Sequence, residues 1–447
     1  MQVLTTDRLV RLAGLKAVLR PGTRYVISDQ EAYTYLGVEK QRRLTGRTDI
    51  FTDFRVSSFN NYERRYDGSD LNGRNVAIYR HNAWGDSLMA SAVPRYVKTL
   101  YPGAEIYFYC HPDMFDLHLG NQFVQYNMAV PIPISLDACR CFHDFHIFYE
   151  GMLENDSEPD QNNCYDNFFA FCGLRDVPDH FKRPYVFIRP SDYDSVKTWE
   201  ADEGVKLDLA AKYIVYHLMP GNENRAYPVL YSRLFWQLFN ANFSDYRIYV
   251  VGLDEHGRRS GLFRDLPKTV NLLHKARSFR HLVPLLENAK LVVCPDSSVG
   301  HLAACFPHVP VISLWGEFHP DDRVKYYGNH YPIFHGKTAC RYSPCHCHEF
   351  DMNIQKCRTG GRWDEIRMKY NEDCDKVGAV HNPETLDGWC AAMADITPME
   401  ILEVADKLLQ GHRSPEHLSV EEDPACQPQK IEAGDYEHAD IEDERLM

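Results

Sequence analysis

Within a few residues around position 295 the chain changes character. The apolar run Leu291-Val292-Val293-Cys294 stops at Pro295-Asp296-Ser297-Ser298-Val299-Gly300-His301, and the small-residue stretch Leu302-Ala303-Ala304 after it has the composition of a helix. A short strand that ends in an acid, two hydroxyls and a glycine leaves backbone N–H groups free at the start of the next helix, where anionic ligands are held. The spacing therefore predicts a phosphate or nucleotide site at Asp296, Ser297, Ser298 and Gly300, with His301 placed to donate to a phosphate or to bond within the loop. A second junction follows the buried-type strand Asn75-Val76-Ala77-Ile78-Tyr79-Arg80, where His81-Asn82-Ala83-Trp84-Gly85-Asp86 leads into another helical run. An acid at the C-terminal end of a strand faces the cleft, and Asp86 can take a proton there or cap the helix.

Such junctions need alternating strands and helices to hold them, and the pattern supplies these. In the first half, the strand from Asn75 is followed by a predicted helix from Ser87 to Leu100. Tyr101-Pro102-Gly103 is the breaker and Ala104 to Tyr109 the next strand. In the second half, predicted strands run from Tyr213 to His217, Tyr246 to Gly252, Leu291 to Cys294 and Val309 to Leu314. Helices from Tyr231 to Asn240, from Ser278 to Asn288 and from Gly300 lie between them. Strand, helix, breaker, strand is the unit of a parallel sheet with crossover helices, so the fold class is α/β, with two doubly wound domains. The expected division is an N-terminal extension over 1–73, a first domain over 74–190, a second over 206–335, a Cys-rich segment with a closing helix over 336–410, and an acidic tail over 411–447 that is expected to be disordered. Leu9, Leu12, Leu15 and Val18 carry a weak helical period in the extension. Residues 183–208, rich in Asp, Ser and Lys, read as a surface linker, and a helix is expected from Thr397-Pro398 to Gln410.

Composition limits the partners. At 447 residues, 44% hydrophobic and 25% charged, the chain is ordinary for a water-soluble globular protein and too long for one core. A formal net charge of −14 counts against non-specific binding to nucleic acid or anionic lipid. No apolar run approaches the roughly 20 residues of a membrane span, and Met1 to Asp7 lacks a basic start and apolar core. The expectation is residence in the cytoplasm, with peripheral attachment to the inner membrane left open.

Two motifs together resemble the bacterial heptosyltransferase family, glycosyltransferase family nine. The first is Gly85-Asp86-Ser87-Leu88-Met89 with Pro94, Arg95, Leu100, Tyr101 and Pro102 after it. The second is Asp296-Ser297-Ser298-Val299-Gly300-His301-Leu302-Ala303-Ala304 followed by Pro310 to Gly316. Ser298 stands where the family usually has glycine, which costs energy if the position needs a positive φ. The resemblance implies two Rossmann-like domains in the GT-B arrangement, the acceptor on the first and the nucleotide sugar on the second. It implies a sugar transfer with inversion from an ADP-heptose-like donor to a glycan or lipopolysaccharide core, and it places the catalytic base at Asp86.

Sugar transfer also needs positive or dipolar groups on the departing phosphate. Arg225, in Asn224-Arg225-Ala226-Tyr227-Pro228, resembles the family's basic residue before a Trp-Pro pair, and a solvated loop arginine is the alternative. Glu255, after the strand ending at Gly252, can accept ribose hydroxyls or remain a loop acid. His81, Asn82 and Gly85 are candidates for the acceptor side of the cleft, with ordinary loop packing as the alternative for the first two. Trp315 to Phe318 can face the ligand or the core. No Asp-x-Asp pair sits at a strand end, so no catalytic metal or cofactor is expected. Cys340, Cys345, Cys347, Cys357, Cys374 and Cys390, with His346 and His348, lack a clean pair of C-x-x-C knuckles; a structural zinc, disulfides and buried thiols stay open there. An epimerase of nucleotide sugars and a silent nucleotide-sugar-binding module are the rival readings.

Overall fold

The computed structural model describes residues 2–6, 10–11, 18–19, 24–27, 54–58, 66–80, 84–110, 114–118, 120–129, 134–135, 145–148, 163–203, 207–220, 225–252, 263, 266, 268–273, 276, 278–340, 343–344 and 389–411. Among the described residues five strands precede residue 60: β1 (Gln2–Thr6), β2 (Val10–Arg11), β3 (Val18–Leu19), β4 (Arg24–Ile27) and β5 (Phe54–Ser58). Leu9, Leu12 and Leu15, which carried the weak helical period, lie outside the described residues; Val18 is in β3, which pairs antiparallel with β2.

Five further strands complete the first half: β6 (Asn75–Tyr79), β7 (Glu105–Cys110), β8 (Tyr126–Ala129), β9 (Ile134–Ser135) and β10 (Phe145–Phe148). A parallel sheet of order β10-β6-β7-β8 is the centre of the first lobe. The extension is not a separate appendage. Its strands β1, β4 and β5 join an antiparallel sheet of order β5-β1-β4-β9, whose last member comes from inside the first α/β unit.

The single helix read from Ser87 to Leu100 is two, Trp84–Ala90 and Ala92–Leu100. Pro94 has no N–H to donate to the preceding turn, so it sits in the first turn of a new helix. Ser91 fills the break, its Oγ donating to Leu88 O at 2.5 Å and accepting from Tyr185 N at 2.7 Å. The first of these helices begins before Gly85, which moves Asp86 from the preceding loop into the first helical turn.

Six parallel strands form the second lobe: β11 (Tyr213–His217), β12 (Arg247–Val251), β13 (Thr269–Asn271), β14 (Leu291–Pro295), β15 (Val311–Trp315) and β16 (His330–Phe334), in the order β13-β12-β11-β14-β15-β16. Every residue of β11, β14 and β15 is buried, as a parallel sheet covered on both faces requires. Alternate residues of β11 serve different cores. Tyr213 and Val215 join an apolar cluster that runs past Val299 into the first lobe at Leu88 and Met89, while Ile214 and Tyr216 join one under the C-terminal helices.

The closing helix runs Pro398–Leu409, with Thr397 accepting from Glu400 N at 3.2 Å and proline at its first position, as expected. It packs beside the helix Val229–Asn242. No helix among the described residues is long and apolar enough to cross a membrane.

Residues 183–208 are not a surface connection. Most of them form the helix Pro190–Glu203, and its Asp192 is buried. That carboxylate accepts from Arg189 N at 2.8 Å and from Arg280 of the second lobe through Nε at 3.0 Å and through Nη2. The pair stitches the interlobe helix onto the turn Phe279–His281. Replacing Asp192 by Asn leaves the Arg280 charge buried without its counter-charge, and loss of one partner of a buried pair costs about 3–5 kcal/mol. Asp192→Asn should therefore lower the denaturant midpoint well below wild type, and coincident unfolding curves would show that the pair adds no net stability.

Candidate active site

Asp86 and the 296–301 turn meet across the seam between the lobes. The helix Trp84–Ala90 leaves the end of β6, the helix Ser298–Ala303 leaves the end of β14, and the two are in contact. Gly85 allows this approach, since a Cβ there would lie 3.0 Å from His301 Cδ2 and 3.5 Å from Ser298 Cα. Trp84 stacks on Phe279 of the second lobe, with ring centroids 4.9 Å apart, and fixes the crossing.

Asp86 is ion-paired with Arg80, which ends the preceding strand. Burial works to raise its pKa, but Arg80, Arg323 and His301 outweigh that and hold the carboxyl below its ordinary value. Asp86 is therefore ionised at neutral pH.

The turn is built differently from the expectation. Its helix starts at Ser298, and Ser297 before it is extended, with its Oγ 2.9 Å from Nδ1 of His217 at the end of β11. Ser298 does not adopt a positive φ, so serine costs nothing where the family has glycine. Gly300 is required for packing instead, because a Cβ there would lie 3.1 Å from Cys294 Sγ. His301 points into the protein, its Nδ1 2.9 Å from Tyr327 Oη, which lies 2.7 Å from Tyr165 Oη of the first lobe. Burial pushes its pKa down to about 4, so the ring is neutral and serves as a hydrogen-bonding spacer across the seam.

Arg225 reaches the same place but is held by carboxylates. Its Nε donates to Glu317 Oε2 at 2.7 Å and its Nη1 lies 3.3 Å from Asp296 Oδ2. Glu317 is 3% exposed, and burial pushes its carboxyl up to about 7, with Arg225 opposing. Trp315 is core, buried with its Nε1 donating to Ser313 at 2.8 Å.

The structure thus brings together Gly85, Asp86, Arg225, Asp296, Ser297, Ser298, Gly300 and His301. His81, Asn82 and Glu255 lie outside the described residues. Cys340 and Cys390 are half-buried, and Cys345, Cys347, Cys357, Cys374, His346 and His348 also lie outside. Among the described residues no group of three or more His, Cys, Asp or Glu could hold a metal ion. Arg80, Glu317 and Arg323 were not picked out as site residues by the sequence reading. Arg80 read only as a strand residue, Glu317 only as part of a four-residue segment, and the one available signal was their position just past strand ends.

Two parallel-sheet lobes whose strand C-termini meet at a charged seam form the GT-B arrangement of glycosyltransferases. Residues 208–349 match the family model of glycosyltransferase family 9 (heptosyltransferase). No curated protein matches the chain. Among solved structures, the ADP-heptose lipopolysaccharide heptosyltransferase II of E. coli is similar at 14% identity and a TM-score of 0.50, covering 76% of this chain and 100% of that one. A family 9 glycosyl transferase of Veillonella parvula is similar at 10% identity and a TM-score of 0.51, covering 76% and 99%. At these identities the two structures speak for the fold, and the family model speaks for the second lobe. Residues 208–349 thus carry the family 9 glycosyltransferase signature, and the two-lobed fold around them is the one those structures share.

Glu317 makes this site sensitive to pH. A carboxyl that titrates near 7 when folded and at an ordinary 4.5 when unfolded holds its proton more tightly in the folded state. Its contribution to stability is present below the unfolded value and is lost as pH rises through about 7. Melting temperatures of wild type and Glu317→Gln, measured from pH 5 to 8, should diverge, wild type losing ground as pH rises. Parallel profiles would contradict the raised carboxyl.

Proposed function

We propose that this protein transfers a sugar, with inversion and without a metal, from an ADP-heptose-like donor to a hydroxyl of a glycan or lipopolysaccharide-core acceptor. One observation carries the reading: an ionised carboxylate on the first lobe, Asp86, sits against the strand-end turn 296–301 of the second. The first lobe, about residues 74–190, takes the acceptor, and the second, about 206–335, takes the donor. Asp86 accepts the acceptor's hydroxyl proton as that oxygen bonds to the anomeric carbon. The bond from that carbon to the diphosphate breaks on the opposite face, and its electron pair leaves with the phosphate oxygen. Arg80 orients the carboxylate and holds its pKa low, which suits a proton that becomes strongly acidic only as the new bond forms.

On the donor side, Ser297, Ser298, Gly300 and the edge of His301 shape the turn near the phosphates, and Asp296 with Arg225 braces it. The choice of ADP-heptose rests on the family 9 match of the second lobe and on the fold shared with the E. coli ADP-heptose heptosyltransferase. The metal-independent mode rests on guanidinium groups gathered where the diphosphate charge would develop. Cytoplasmic residence, peripheral to the inner membrane where lipid-linked acceptors are made, fits such an acceptor.

The test is transfer from ADP-heptose to a core-type acceptor, preceded by a thermal-shift panel of nucleotide sugars to fix the donor. Asp86→Asn should reduce kcat by about 10²–10⁴, the range for removing a general base. Affinity for nucleotide should change little, while loss of the Arg80 counter-charge should lower the melting temperature. Turnover at the wild-type rate would refute Asp86 as the base.

A further inference from the structure

Three guanidinium groups and three carboxyl groups converge on the seam, and they do not cancel one for one. Arg80 is paired with Asp86, and Arg225 with both Glu317 and Asp296. That leaves Arg323, which follows the short turn Pro320–Asp322 of the second lobe and is 5% exposed. Its guanidinium carbon lies 4.4 Å from the centroid of Phe318, a ring that Arg225 approaches at 5.0 Å. The Arg323 backbone is engaged, its N–H donating to Pro320 O at 3.0 Å and its carbonyl accepting from Cys164 Sγ at 3.9 Å. Among the described residues no side chain or carbonyl forms a hydrogen bond or ion pair with its guanidinium. Its charge nevertheless acts on Asp86, His301 and Glu317, which places it at the same seam.

A buried guanidinium whose N–H groups find no acceptor among the described residues is expensive to maintain, and functional sites are where such groups occur. The planar fork of an arginine laid on an aromatic ring is oriented to receive two phosphate oxygens. We propose that Arg323 binds the diphosphate of the donor, and of the nucleotide as it leaves, whereas Arg225 braces the turn through Glu317 and Asp296. This rests on the nucleotide-sugar reading above. When the sugar carbon–oxygen bond breaks, its electron pair stays on the diphosphate, and among the described residues Arg323 is the seam guanidinium that forms no ion pair.

Calorimetry on the full chain with ADP, adenosine and inorganic pyrophosphate tests the assignment. Wild type should bind ADP more tightly than adenosine. Arg323→Gln should weaken ADP and pyrophosphate at least tenfold while leaving adenosine binding and the melting temperature unchanged. Arg323→Lys should restore part of the loss, and Arg225→Gln should lower the melting temperature with a smaller effect on the ADP-to-adenosine ratio. Arg323→Gln that binds ADP and pyrophosphate as wild type does, or weakens only the acceptor's KM, overturns the assignment while the transferase reading stands. A parallel loss of adenosine affinity and melting temperature assigns Arg323 to structure and overturns it as well. Wild type that binds neither ADP nor pyrophosphate removes the nucleotide-sugar reading along with it.

Discussion

Charge taken out of water has to be answered by charge or hydrogen bonds nearby, and that constraint organises the seam between the two lobes. Asp86, Asp296 and Glu317 are drawn out of bulk solvent by the contact of two short helices, and each stands beside a guanidinium. The contact depends on a missing atom, because any side chain at position 85 would press on His301. With glycine there the lobes close to hydrogen-bonding distance. The Tyr165 and Tyr327 hydroxyls meet at 2.7 Å, Asn163 Nδ2 donates to Asp321 O at 2.6 Å, and Tyr326 Oη donates to Asp166 Oδ2 at 2.7 Å.

These bonds make the seam polar at its rim and apolar beneath. Leu88 and Met89 of the first lobe share one cluster with Val299, Leu302 and Ala303 of the second. Burial of such a cluster favours closure, and the directional bonds above it set the register. A glycosyltransferase gains from this arrangement, because a shut seam keeps water from competing with the acceptor hydroxyl. The second lobe is braced from behind. Tyr227 Oη donates to Ile396 O at 2.8 Å, and His335 bonds both Asp395 and Glu400, so the C-terminal helices clamp the face of the sheet away from the seam.

The strands of both lobes were legible because unbroken runs such as Leu291 to Cys294 can only be covered on both sides, and the turn after them was legible because acid, hydroxyl and glycine follow one another. Helix ends were less so. Pro94 split a run that looked continuous, because it cannot donate to the preceding turn. The segment 183–208 has the polar composition of a linker, yet Asp192 in it is buried, because its partner Arg280 is 88 residues away.

The sequence by itself determined the two-lobed α/β class and the two strand-end junctions holding Asp86 and Asp296 to His301, since apolar runs and breaker residues are local signals. Only the tertiary structure decided which charges face one another. Arg225 read as a phosphate-holding or solvated arginine and is bound by two carboxylates, while Arg323 carried no motif and, among the described residues, forms no ion pair beside Phe318. Electrostatic partnership is a property of distance and burial, and neither is written in the spacing along a chain.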